Sequence, residues 1–332
     1  YDTTKVPSFE DRVATKIIEE STVRRPDGHF QVRPPWRQLP PCMPDNRQAV
    51  LHRFFGLKEK FEQDSEYFKE YSAVIQAYLN EGHAEKVPRS ELRCKPGKRF
   101  YLAHHSVKHH RKDLRVVFDT AMKSKGKSLS SEILPGPNVL NSLAGVILRF
   151  RQYAVPITGD LRKYYHSIFL QPSDVDFFRW FFFENPNDCT SPIVEFRMLI
   201  HLFGGCWSQA VSGHSLEQAI KDACKSKELF KDSAETLLAF YSDDFADNYP
   251  TIESAKVAIL NLVAALAKRG FRLAKIVARD ISILEAIPPE LCHPDFQDLA
   301  LGDKQVNVLG LGWNVADDTL QFPEFPEDLN TV

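Results

Sequence analysis

The chain has 332 residues, 43% of them hydrophobic and 26% charged, an ordinary globular composition with enough apolar material for one large domain or two to three subdomains. A formal charge of −2 excludes a uniformly basic nucleic-acid binder, but residues 84–163 hold 17 Lys and Arg against 6 Asp and Glu, a surplus of 11 that leaves −13 on the rest. One face turned to a polyanion would produce this asymmetry, and so would a merely solvated basic surface. No apolar run is long enough for a membrane span, and the six cysteines (42, 94, 189, 206, 224, 292) lack metal-type pair spacing, so reduced thiols in an intracellular protein are expected.

Residues 1–48 are polar and proline-bearing (Pro34-Pro35-Trp36, Pro40-Pro41) and read as an extended arm. From Arg47 to Gly82 apolar residues recur at helical spacing, Phe54, Phe55 and Leu57, then Phe68, Tyr71, Ile75, Tyr78 and Leu79, which predicts two helices. Strands over 99–103 and 114–118 form a predicted hairpin with a positive tip at Lys108, Arg111 and Lys112. A Lys/Ser/Gly loop follows at 123–131, then an amphipathic helix over 140–153 and an apolar strand that ends on Asp160. Residues 164–170 begin a helix, the aromatic run 177–183 is a strand with 195–202 as its antiparallel partner, and 208–225 is helical. A strand, tight turn and strand over 237–249 carry Tyr241-Ser242-Asp243-Asp244. Thr251 caps a long helix that stops at Gly270, and strands at 272–276, 306–313 and 320–322 complete the chain. Antiparallel hairpins backed by helices make an α+β fold.

Adjacent like charges repel, so Asp243 and Asp244 are most easily held where a cation sits between them. With Asp160 on a neighbouring strand end they make three carboxylates, the set that two Mg²⁺ ions need for in-line displacement at phosphorus. An Asp-Asp turn alone is more often simply solvated. His104-His105 and His109-His110 could share zinc, but no cysteine or carboxylate completes a tetrahedral set nearby. The aromatic run suits a buried strand better than a base-stacking platform. Asp174, Asp176 and Asp247 read as surface acids, and neither a nucleophile motif nor a glycine-rich phosphate loop is present.

Several segments, in order, resemble the polymerase domain of reverse transcriptases from long-terminal-repeat retrotransposons, nearest to the BEL/Pao branch. They are Glu19-Glu20 with Gly28-His29-Phe30 and Pro35-Trp36, Tyr101-Leu102-Ala103-His104-His105, Arg115-Val116-Val117-Phe118-Asp119, Gly136-Pro137-Asn138, Leu148-Arg149-Phe150-Arg151, Gly270-Phe271 with Lys275, and Val308-Leu309-Gly310-Leu311-Gly312-Trp313. The resemblance covers almost the whole chain. It implies a right-hand polymerase: an arm over 1–48, fingers over 49–153, a palm over 154–322 with its catalytic hairpin at 237–249 and a primer-grip-like strand at 306–313, and a tail over 323–332. The thumb is expected to be absent or truncated.

By the same resemblance Asp160, Asp243 and Asp244 are the catalytic residues and Mg²⁺ ligands, for two ions with Mn²⁺ as a substitute. Lys112 and Arg115 meet the triphosphate of the incoming deoxynucleotide, Tyr165 is the ribose gate, Phe203 and Gly204 line the nucleotide pocket, and Lys275 protonates departing pyrophosphate. Leu309, Gly310 and Trp313 form the primer grip. The implied activity is RNA- and DNA-templated DNA synthesis within a retroelement polyprotein. The implied partners are template-primer, deoxynucleoside triphosphates and the protease, RNase H and integrase of that polyprotein, without a membrane, in cytoplasmic virus-like particles or the nucleus. Departures stand at Ser208-Gln209, where relatives have a Ser-Pro or Ala-Pro pair, at Cys206-Trp207, and in the basic run Arg162-Lys163 beside Asp160. They leave open a catalytically retired module that binds nucleic acid or protein, while a palm polymerase of another template class, such as an RNA-dependent RNA polymerase, is a further alternative.

Overall fold

Two long helices meet at one residue. Asp64 closes helix Arg47–Gln63 by donating its N–H to the Lys60 carbonyl, and opens helix Ser65–Asn80 by accepting the Tyr67 N–H at 2.9 Å. Val50, Phe54, Leu57 and Phe61 form the buried stripe of the first, and Tyr71, Ile75 and Tyr78 that of the second. The computed structural model describes residues 7–93, 95–107, 114–229, 231–296 and 305–322. These form a mixed α+β fold with several small, mainly antiparallel sheets and no closed barrel. The described residues divide into two compact units, those of 4–138 with 165–215 and those of 139–164 with 216–332.

In the unit of 4–138 and 165–215, the aromatic run supplies strand Arg179–Phe183, buried at all five positions. It pairs antiparallel with Ile193–Met198, which pairs in turn with Ala84–Lys86. The helix pair covers this sheet: Phe61 lies 5.0 Å from Tyr71, and Tyr71 stacks on Phe182 at 6.0 Å. Each such side chain contributes on the order of 1.5–3 kcal/mol by leaving water. Arg179 is wholly buried, donating to Glu195 at 3.0 Å and Asp176 at 2.8 Å, and Tyr101 donates to the same Glu195 at 2.9 Å. Arg197 reaches Asp176 from the next strand at 3.1 Å.

Four expectations change in this unit. The arm contains a helix, Phe9–Ser21, started by a reciprocal Ser8–Asp11 capping box and held by buried Ala14 and Ile18. The basic hairpin pairs His104–Val107 with Arg115–Phe118; residues 100–103 are buried, but join the sheet only by a bridge from Tyr101 to Arg179 and by Asn46, whose amide bonds both backbone groups of Tyr101. Residues 164–170 become a short 3₁₀ turn and strand Ile168–Leu170, which adds parallel to Phe30–Val32. Asp174 is buried, held by Arg33 at 3.0 Å and by the Trp36 indole, and Asp176 belongs to the arginine network. Lys108, Arg111, Lys112, His109 and His110 lie outside the described residues.

In the other unit, four antiparallel strands run in the order Phe240–Tyr241, Asp244–Tyr249, Val155–Arg162, Arg272–Ala278. The strand expected from Leu237 starts only at Phe240, because Leu237 ends helix Ser233–Leu237 and Leu238 and Ala239 form a turn, so the first edge is only two residues long. Helix Ile252–Ala267 buries Ala255, Ile259, Leu262, Ala265 and Leu266. Thr251 caps its start, and Gly270 (φ 78°) lets the Phe271 N–H return to the Leu266 carbonyl at 3.0 Å. Asp247, expected at the surface, is buried and paired with Lys231.

The expected strand 306–313 is a hairpin, Gln305–Val308 with Leu311–Asn314, followed by Thr319–Gln321. Leu309 and Gly310, both at positive φ, make its two-residue turn. Trp313 anchors this small sheet, edge-on to Phe150 at 5.3 Å and donating to Asp318 at 3.0 Å, while Arg151 pairs with the same aspartate.

Arg179→Ala removes the buried one of the two arginines on Glu195 (Arg47 holds its other oxygen at 2.8 Å) and opens a cavity, so denaturant unfolding should show a loss of about 3–5 kcal/mol. Arg37→Ala, which breaks the exposed pair with Glu10, should cost about 1 kcal/mol or less.

Candidate active site

Asp160 lies on the third strand of the sheet, Val155–Arg162, directly opposite Asp244, the first residue of Asp244–Tyr249. Ser242 and Asp243 make the turn between the two strands of the acidic hairpin, with Ser242 at φ 57°, a conformation a serine adopts only where the turn demands it. The Asp243 carbonyl accepts the Leu161 N–H at 2.7 Å, so the turn is tied to the residue after Asp160. On the opposite side of Asp160 stands Ala274, and between Ala274 and Val277 the register shifts. Lys275 sits in that bulge at φ 50°, and its ammonium donates to Asp160 Oδ2 at 2.8 Å. Gly159 keeps this crossing uncrowded: a Cβ would come within 3.2 Å of Leu273 and 3.3 Å of the Ala274 carbonyl.

The Asp244 carboxyl is pushed up to about 6, first by lost hydration against the surrounding protein, then by the charges of Asp243 and Asp160, with Lys275 pulling the other way. The residue remains exposed, so water screens the repulsion and its effect on stability is modest. Carboxylates are the hard oxygen donors Mg²⁺ prefers, and backbone pairing gathers three of them at one strand end. Donor type and register therefore fit a divalent cation. Among the described residues no group of three or more His, Cys, Asp or Glu is arranged to hold a metal, and the cation at Asp160 is Lys275.

The other residues singled out by sequence fall in both units. Tyr165 donates its hydroxyl to Gln209 Oε1 at 2.8 Å and lies 5.8 Å, ring to ring, from Phe203, which is exposed. Gly204 follows at φ 89°. Arg115 is exposed on the basic hairpin, opposite Val107. Leu309 and Gly310 form a hairpin tip, whereas Trp313 is fully buried. Sequence reasoning missed two features: the Gln209 contact with Tyr165, whose only trace was an unexpected residue after Ser208, and the bulge that aims Lys275 at Asp160, for which the sequence carries no signal.

Comparison of the chain with models of known protein families and with curated proteins gives no match.

A carboxyl raised from 3.8 to about 6 binds protons more tightly in the folded state, so its contribution to stability is complete below pH 4 and is lost as pH rises through 6. Asp244→Asn should therefore raise the melting temperature at pH 7.5 by on the order of 1–3 °C, with the difference vanishing near pH 4, as followed by circular dichroism. An equal shift at both pH values would show that charge is not its cause.

Proposed function

We propose that the chain is a template-directed DNA polymerase of the reverse-transcriptase kind, with the Asp160 sheet as its palm and the segments around the basic hairpin as its fingers. The observation that carries this reading is the direct cross-strand pairing of Asp160 with Asp244, next to Asp243 in the turn. Clustered carboxylates facing a polyanion are unfavourable unless cations intervene, and nucleotidyl transfer supplies a reason to keep them. Two Mg²⁺ ions held by Asp160, Asp243 and Asp244, or Mn²⁺ in their place, would activate the primer 3′-hydroxyl and neutralise the triphosphate. The chain's own part is positioning. The short turn and the Leu161–Asp243 bond fix the three acids relative to one another, and the bulged Lys275 stands ready to meet a leaving phosphate once released from Asp160.

Lys112 and Arg115 would meet the triphosphate; Arg115 is exposed on a hairpin, where its planar fork is open to phosphate oxygens. Tyr165 would close the space below the sugar C2′, with Phe203 and Gly204 beside it. Leu309 and Gly310 would touch the primer from their hairpin tip, with Trp313 holding that hairpin in place. Template-primer, deoxynucleoside triphosphates and the remaining enzymes of a retroelement polyprotein are the partners this reading requires. Its setting would be a cytoplasmic particle or the nucleus. No described helix is long and apolar enough to cross a membrane.

A second reading keeps the fold as a nucleic-acid or protein-binding module without catalysis. It is favoured by the Lys275–Asp160 ion pair, which neutralises one of the three acids. Mg²⁺-dependent extension of a primed RNA template with deoxynucleotides separates the two. Polymerisation by the wild-type chain should fall about 10²–10³-fold in Asp243→Asn, given what loss of a charge-stabilising group costs. Template-primer binding without extension in either protein would favour the second reading. Tyr165→Ala should admit ribonucleotides; unchanged sugar selection would remove Tyr165 as the gate.

A further inference from the structure

The first turn of helix Ser208–Lys225 is unusually well fixed. Trp207, just before it, is wholly buried and donates its indole N–H to His201 Nδ1 at 3.0 Å, while His201 Nε2 lies 3.0 Å from the Val32 carbonyl. Ser208 is buried as well and donates its hydroxyl to the Leu202 carbonyl at 2.6 Å. Burial holds His201 down at about 4, so the ring stays neutral across the physiological range and its bond to Trp207 persists. Gly205 lies in the bend: a Cβ there would approach Ser208 Oγ to 2.8 Å and the Trp207 ring to 2.9 Å. Gln209 thus stands on a rigid platform.

From that platform its Oε1 accepts the Tyr165 hydroxyl at 2.8 Å. Tyr165 and Gln209 are both partly buried, and exposed Phe203 lies beside the tyrosine ring, tilted by 59°. A tyrosine ring has two soft torsions, and a bond at its far end removes much of the freedom that packing alone would leave. We propose that Gln209 is a positioning residue that tethers the Tyr165 ring and thereby sets how strictly the site discriminates against a ribose 2′-hydroxyl. The inference rests on the polymerase reading and on Tyr165 as its gate. A ring held at both ends cannot swing aside for an extra oxygen; one freed at the hydroxyl can. The ligand class is the sugar of a nucleoside triphosphate, and Gln209 acts on it only through Tyr165.

The test is single-nucleotide extension of a primed RNA template by the full chain, with kcat/KM measured for a deoxynucleotide and for the ribonucleotide of the same base. Gln209→Leu and Tyr165→Phe each remove one end of the bond, and each should shift the ratio toward ribonucleotide by about three- to tenfold, the worth of one partly buried hydrogen bond. The double variant should shift it no further than either single one, because the two act through one interaction. Gln209→Glu keeps an acceptor for the hydroxyl and should restore discrimination. A ratio unchanged in both single variants, while wild-type extension persists and Asp243→Asn abolishes it, overturns the tether and leaves the polymerase reading standing. Additive shifts in the double variant also overturn it. Absence of extension by the wild-type chain defeats the polymerase reading and the tether with it. Should Gln209→Leu fail to fold, Tyr165→Phe with Gln209→Glu still decides the question.

Discussion

The pairing of strand Val155–Arg162 with Asp244–Tyr249 is the constraint on which the candidate site depends. Six consecutive residue pairs hold it, with Asp160 and Asp244 at one end and Val155 and Tyr249 at the other. The five residues that follow Asp244 are all buried, and Phe245, Ala246 and Tyr249 pack with the apolar residues of Val155–Arg162, so the ladder is held by burial while the acids gather where it opens to solvent. Repulsion between the acids is thus opposed by a sheet that has no need of them. The same logic explains the bulge opposite: displacing Lys275 from a regular strand position allows a cation to reach Asp160 without burying it.

Much of this arrangement was legible in the sequence, and the exceptions have identifiable causes. Helices Arg47–Gln63, Ser65–Asn80 and Ile252–Ala267 are readable because each keeps a buried stripe at helical spacing between clear stop signals. The basic hairpin was misplaced because residues 100–103 are as apolar as a strand, yet their backbone is satisfied piecemeal, by the Asn46 amide, a single bridge to Arg179, the Asp176 carbonyl and the Asp119 N–H. The 306–313 segment is broken by positive φ at Leu309, which a leucine does not announce. The helix in the arm was hidden by its polarity: only Ala14 and Ile18 are buried along its length.

Buried acids were the least readable class. Asp174 is matched by Arg33, 141 residues away in sequence, and Asp176 by Arg197 from a neighbouring strand. No local pattern reports these long-range pairings, although Arg179 also reaches Asp176 from only three residues on. The three site acids could be recognised as a group because their residue types and strand-end positions are local properties. What could not be read was that Asp160 has a cation partner, since Lys275 is delivered to it by a bulge from a third strand.

The Lys231–Asp247 pair has a bearing on which acid faces Asp160. Lys231 grips both oxygens of Asp247, at 3.0 and 2.9 Å, on the same strand that begins with Asp244. Because Asp243 and Asp244 are adjacent, a slip of one residue would still set a carboxylate opposite Asp160, so the acids themselves select no alignment. Such a slip would carry Asp247 to the other face of the sheet and strand its buried charge away from Lys231, at a cost of about 3–5 kcal/mol. A lysine remote from the acidic turn therefore acts as a register lock, choosing between two otherwise equivalent aspartates.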